Sequence, residues 1–85
     1  MTTRDSRGYS VHVLRQIDAA DPTRVAIQLA KHCVAHNISA AMVAKELGTS
    51  KQSVYAWFSG RHRPSPVFAE RVTALLDRYR NAAAV

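Results

Sequence analysis

What most limits the folding of this chain is its punctuation. Residues able to start or stop a helix recur at short intervals: Asp21-Pro22, Asn37 and Ser39, Gly48 and Ser50, Gly60, and Ser65-Pro66. Asp and Ser accept hydrogen bonds from the free N–H groups of a first turn, and Pro is tolerated at the first helical position. Gly and Asn take the left-handed conformation that ends a helix. Between these signals the apolar residues follow helical spacing. They predict a helix over 22–36 burying Ile27, Ala30 and Val34, widened by Leu29 and Cys33. A second, over 40–47, buries Ala40, Val43, Ala44 and Leu47; a third, over 51–58, buries Val54, Trp57 and Phe58. A fourth, over 66–80, buries Phe68, Val72, Leu75, Leu76 and Tyr79.

Eighty-five residues fit one small domain with one modest core, since a chain of this size buries roughly 60 per cent of its unfolded surface. Twelve Lys and Arg against six Asp and Glu leave a net charge of +6, a bias that favours polyanionic partners, nucleic acid first. A membrane surface is the weaker candidate, because no helix sets a dense Lys/Arg face against Trp and Leu, and no apolar run approaches a span. The single Cys33 has no partner for an internal disulfide and the N-terminus lacks the apolar stretch of a signal peptide, so a cytoplasmic location is expected.

Residues 1–8, MTTRDSRG, read as a flexible arm carrying Arg4 and Arg7 ahead of a single domain over 9–85. The segment 9–17 is ambiguous: Tyr9, Val11 and Val13 alternate like a strand, whereas Val11, Leu14 and Ile17 could line one side of a short helix. A helix is favoured because it satisfies its own backbone, while a lone strand requires a partner chain.

Two short helices joined by a tight glycine-containing turn constitute a helix-turn-helix unit. The residue sizes over 39–59 suit it: Ala44 is small where the helices would touch, Gly48 can take the positive φ of the turn, and Val54 plugs the angle. The stretch ISAAMVAKELGTSKQSVYAWFSGRHRPSPVFAERVTALL, from Ile38 to Leu76, resembles the Cro/CI or lambda-repressor-like helix-turn-helix family, most specifically in LGTSKQSVYAWFSG and the following RPSP. With the first predicted helix the resemblance covers about 22–80. It implies an all-α bundle of four to five helices whose 51–58 helix lies in the major groove of double-stranded DNA, usually in a dimer on a near-palindromic operator.

By position in the family pattern, Lys51 and Gln52 stand where side chains point at base edges. The helical wheel agrees, because with Val54, Trp57 and Phe58 turned inward the opposite surface carries Lys51, Gln52, Tyr55, Ala56 and Ser59. Gln suits adenine N6 and N7, Lys suits guanine O6 or N7, and Tyr55 or Ala56 suits a thymine methyl. The resemblance also implies that the loop after this helix grips phosphate through Arg61 and Arg63, with Ser50, Ser53 and Ser59 adding hydrogen bonds. No acidic residue occurs from Leu47 to Ala69, which suits an anionic backbone. Two positions depart from the family: Ala40 stands where Gln often touches phosphate, and Met42 where an acidic or polar residue is common.

His32 and His36 have a spacing that can bring two imidazoles to one metal, but no second cluster supplies further ligands, so no metal or cofactor is expected. The scattered carboxylates and the lack of a Gly-rich phosphate loop or a nucleophile with its base give no catalytic set. The expected function is that of a small transcriptional repressor or regulator binding specific DNA. The alternative is a helix-turn-helix scaffold that binds and modulates a partner protein through Met42 or the segment 9–17. Tyr9, Val11, Val13, Leu14, Ile17, Leu76, Tyr79 and Val85 exceed what four short helices require, so a homodimer is expected whose interface uses the segment 9–17, the end of the last helix, or both; the alternative is an intramolecular lid.

Overall fold

A computed structural model describes residues 9–83, which form five helices and, among those residues, no strand. They are α1 (Val11–Ala19), α2 (Val25–Ala35), α3 (Ala40–Leu47), α4 (Lys51–Phe58) and α5 (Pro66–Ala83). The expected arm over 1–8 and Val85 lie outside the described residues.

The ambiguous segment is the helix α1. The Ser10 hydroxyl accepts a hydrogen bond from the Val13 N–H at 3.1 Å and caps its first turn. Tyr9, one residue before the cap, is only 5 % exposed. Its hydroxyl donates to the Ile38 carbonyl at 2.8 Å, and its ring stands edge-on to Tyr55 and is stacked against Phe58. The apolar surplus is therefore absorbed mainly within the chain: Tyr9, Ile17 and Leu76 are core residues, and Val13, Leu14 and Tyr79 pack against that core. Of the segment 9–17, Val11 is the large apolar side chain left in solvent, at 66 % exposure.

The helix expected from residue 22 begins three residues later, at Val25. Asp21 closes a turn over Pro22 instead of capping a helix: its Oδ1 accepts from the Thr23 N–H at 2.9 Å and from the Thr23 hydroxyl at 2.7 Å. Arg24 occupies the cap position with extended backbone. At the other end α2 closes as the sequence predicts. Asn37 is left-handed at φ 57°, the Ile38 N–H reaches back to the Cys33 carbonyl at 2.8 Å, and the Asn37 N–H reaches Val34 at 3.4 Å. Helix α5 starts at Pro66 as expected and runs three residues past the predicted end.

Helices α2 to α5 surround Ile27, Leu29, Cys33, Val43, Val54, Phe58, Val72, Leu75 and Leu76, all fully buried. Trp57 meets Phe68 with ring centroids 5.4 Å apart, which joins α4 to the first turn of α5. Helix α4 thus rests on α2 and α3, and α1 packs against both α2 and α4. No described helix is long and apolar enough to cross a membrane.

Candidate nucleic-acid interface

The turn between α3 and α4 is built from local chemistry. Ser39 caps α3 by accepting from the Met42 N–H, and Ser50 caps α4 by accepting from the Ser53 N–H, each at 3.1 Å. Between them Gly48 is left-handed at φ 73°, a conformation that costs a Cβ-bearing residue strain, and its N–H and that of Thr49 return to the Ala44 carbonyl. Ala44 and Val54 are both buried, and α3 packs against α4. Arg71 of α5 donates to the Leu47 carbonyl at 3.3 Å and lies over the Phe68 ring, placing a cation at the C-terminus of α3 where the helix dipole favours it. Arg78 pairs with Glu46 at 2.9 Å on the surface, a contact of small energetic weight.

Helix α4 consequently presents its N-terminal end outward. Ser50, Lys51 and Gln52 are exposed, whereas Val54, Trp57 and Phe58 face the core. Tyr55 and Ala56 are half-buried. The Tyr55 ring meets Tyr9 edge-on at 6.2 Å between centroids, so this side chain braces α1 as well as bordering the outward surface. Ser53 is half-buried, and its hydroxyl receives a hydrogen bond from that of Ser50.

After α4 the chain folds back on itself. Gly60 is left-handed at φ 82°, its N–H bonded to the Trp57 carbonyl, and the His62 N–H bonds the Ala56 carbonyl at 3.2 Å. The Ser59 hydroxyl donates to the Ala56 carbonyl and accepts from Arg61 Nε, both at 3.2 Å. Ser59 therefore steadies Arg61 within the loop. Arg61, His62 and Arg63 are all exposed, and Arg61 and Arg63 with Lys51 form the cationic part of this surface. Its acidic neighbour is Asp21, whose carboxyl is held below the usual carboxylate range by the Thr23 N–H and hydroxyl, with smaller contributions from Arg24 and Arg63.

One side chain at this surface has no counterpart in the sequence reading. Arg24 spans from the start of α2 to the loop after α4, with Nη1 3.5 Å from the Gly60 carbonyl and Nη2 3.5 Å from the His62 carbonyl. It is separated from them by more than thirty residues, so helical spacing carried no trace of the contact. The sequence carried no other signal, because the helix expected from residue 22 places Arg24 inside its first turn and the structure puts it at the cap of α2.

Ala40 is buried at the start of α3 and offers no side chain to a phosphate. Met42 is 49 % exposed beside Asn37, Ile38, Ser39, Glu46 and Tyr79, which with it line a shallow groove. The His32 and His36 rings lie 4.2 Å apart, and His32 stacks on Tyr79. Among the described residues no three His, Cys, Asp or Glu are grouped to hold a metal.

A family model described as "Helix-turn-helix" matches residues 28–79, more than half of the chain. The matched span contains α3, the Gly48 turn, α4 and the arginine loop together. No curated protein and no solved structure matches the chain.

Proposed function

Because the chain belongs to the Cro/CI-type helix-turn-helix family of DNA-binding regulators, we propose that it binds specific double-stranded DNA as a small transcriptional repressor, with α4 in the major groove. The observation that carries this reading is the join of two features on one surface. The exposed Lys51 and Gln52 stand at the Ser50-capped start of α4, and the exposed Arg61 and Arg63 stand in the loop directly after it. The first pair has the donors and acceptors to read bases. The second supplies cations to phosphates on either side of a groove.

In this reading Ser50 and Ser53 contribute hydrogen bonds near the helix start. Ser59 acts on phosphate through Arg61, and Ala56 and the edge of Tyr55 border the bases. The reading requires neither a cofactor nor a catalytic step. Binding as a homodimer follows from need, since one helix reads only a few base pairs. The rival, a scaffold for a partner protein, loses the support of the segment 9–17, most of whose apolar side chains are occupied within the fold.

Selection of bound duplexes from a random pool tests the proposal. A recovered motif with two related half-sites about 34 Å apart is expected. Recovery of unrelated sequences, with affinity that depends on salt alone, would remove base reading from α4.

A further inference from the structure

The loop that carries Arg61 and Arg63 has few internal supports. Its backbone bonds are those of Gly60 to Trp57 and His62 to Ala56, and Arg61, His62 and Arg63 are exposed. The support from outside is Arg24. Its two terminal nitrogens reach carbonyls two residues apart, Gly60 and His62, at 3.5 Å, the long end of the hydrogen-bonding range. The same guanidinium lies close to Gly60, where an added Cβ would meet Nη1 at 3.7 Å and Ala20 Cβ at 3.6 Å. Arg24, Val25 and Ala26 face Arg63, Pro64 and Ala69 across one cleft. Arg24 also stands at the cap of α2 without a side-chain cap bond, so the position forgoes a local stabilisation while its side chain reaches across to the loop.

We infer that Arg24 is a positioning residue for DNA binding: it holds the loop after α4 in the shape that aims Arg61 and Arg63 at phosphates. The inference rests on the proposed function and adds a residue to it. A planar guanidinium with two separated donors can bridge two carbonyls, whereas a lysine ammonium delivers its charge to one point. Shape, more than charge, is therefore what Arg24 supplies, and both Arg24→Ala and Arg24→Lys lose it.

The test is a double-mutant cycle read by binding of a random-sequence duplex pool, with circular dichroism and thermal unfolding to establish that each variant folds. Arg24→Ala and Arg24→Lys should each weaken binding about tenfold in the native background, and less than about twofold where Arg61 and Arg63 are already Ala. Equal losses in both backgrounds would make Arg24 an independent phosphate contact and overturn the inference. So would full retention of affinity by Arg24→Lys. Amide exchange supplies a reading that needs no DNA: in Arg24→Ala the His62 N–H should exchange faster while the amides of α5 keep their protection. Unchanged exchange at His62 overturns the inference whatever the DNA result. Faster exchange in a chain whose native form binds no duplex overturns the proposed function and leaves Arg24 as the brace of the loop.

Discussion

Gln52 and Cys33 show how differently two side chains of one small fold are constrained. Gln52 is exposed and leaves α4 at its first turn, so its removal should leave stability nearly unchanged. On the preferred duplex, Gln52→Ala should cost about 1–3 kcal/mol and relax selection at one base pair. Equal losses on preferred and random duplexes would assign Gln52 to the backbone instead. Cys33 is fully buried, and desolvation pushes its thiol up to about 12 from 9.0. The folded chain therefore keeps a proton that the unfolded chain releases above pH 9. Stability on this account is constant below pH 9 and falls as pH rises from 9 towards 12. The buried phenols of Tyr9 and Tyr79 are also raised, by desolvation first, and join the decline above pH 10. Melting temperatures from pH 8 to 10 should fall in the native protein and stay level in Cys33→Ala, whose starting value is lower. Parallel profiles would show that the thiol is not the titrating group. Burial of Cys33 was legible from its place on the apolar face of α2. The brace formed by Arg24 was not, because nothing near it in the chain announces a partner beyond Gly60.

At the scale of elements, the helices were legible where one signal had one physical use. Ser39, Ser50 and Gly48 each act as sequence reasoning requires, and the Asn37 terminator is left-handed. Asp21-Pro22 failed to mark the first residue of α2 because the Asp21 carboxylate has a nearer competitor in Thr23, and the turn between them delays the helix to Val25. Helix α1 was ambiguous because its nine residues offer few turns of periodicity, and Tyr9 belongs to the core from outside the helix. That placement gives α1 a definite role: through Tyr9 it presses on Phe58 and Tyr55, and so on the back of the helix proposed to enter the groove. Tyr9→Ala should destabilise the domain by about 3 kcal/mol, the low end for deleting a buried aromatic. Tyr9→Phe, which removes only the hydrogen bond to Ile38, should cost about 1 kcal/mol. Urea unfolding measures both. A loss below about 1 kcal/mol for Tyr9→Ala would mean that α1 is not docked on α4 in solution.

At the scale of the whole molecule, the +6 charge is a statement about encounter, and the arrangement of cations decides how it is used. Arg71, Arg78 and Arg80 are engaged with Leu47, Glu46 and Gln28, whereas the exposed Lys51, Arg61 and Arg63 are the cations of the proposed interface. Arg61→Ala or Arg63→Ala should weaken binding to all duplexes alike and reduce the slope of log K against log salt by about one. An unchanged slope in both would place these arginines in solvent. Assembly is the larger question. The apolar surplus that pointed to a stable dimer is mostly consumed by the core, and the exposed large apolar side chains among the described residues are Val11, Met42 and Val67. Isolated apolar residues of this kind are ordinary on a monomer and supply little free energy for association alone. The need for two reading helices is unaffected, so pairing should be driven by the DNA: two protomers bound side by side share one duplex, and a weak contact becomes effective at the high local concentration there. Sedimentation with a duplex carrying two half-sites one turn apart should give two protomers per duplex, bound cooperatively. Moving one half-site by about 5 base pairs, half a turn, places the second protomer on the opposite side of the helix and should abolish the cooperativity while leaving single-site affinity intact. One protomer per duplex at saturation, or cooperativity indifferent to spacing, would show that the chain reads DNA without a two-fold partner.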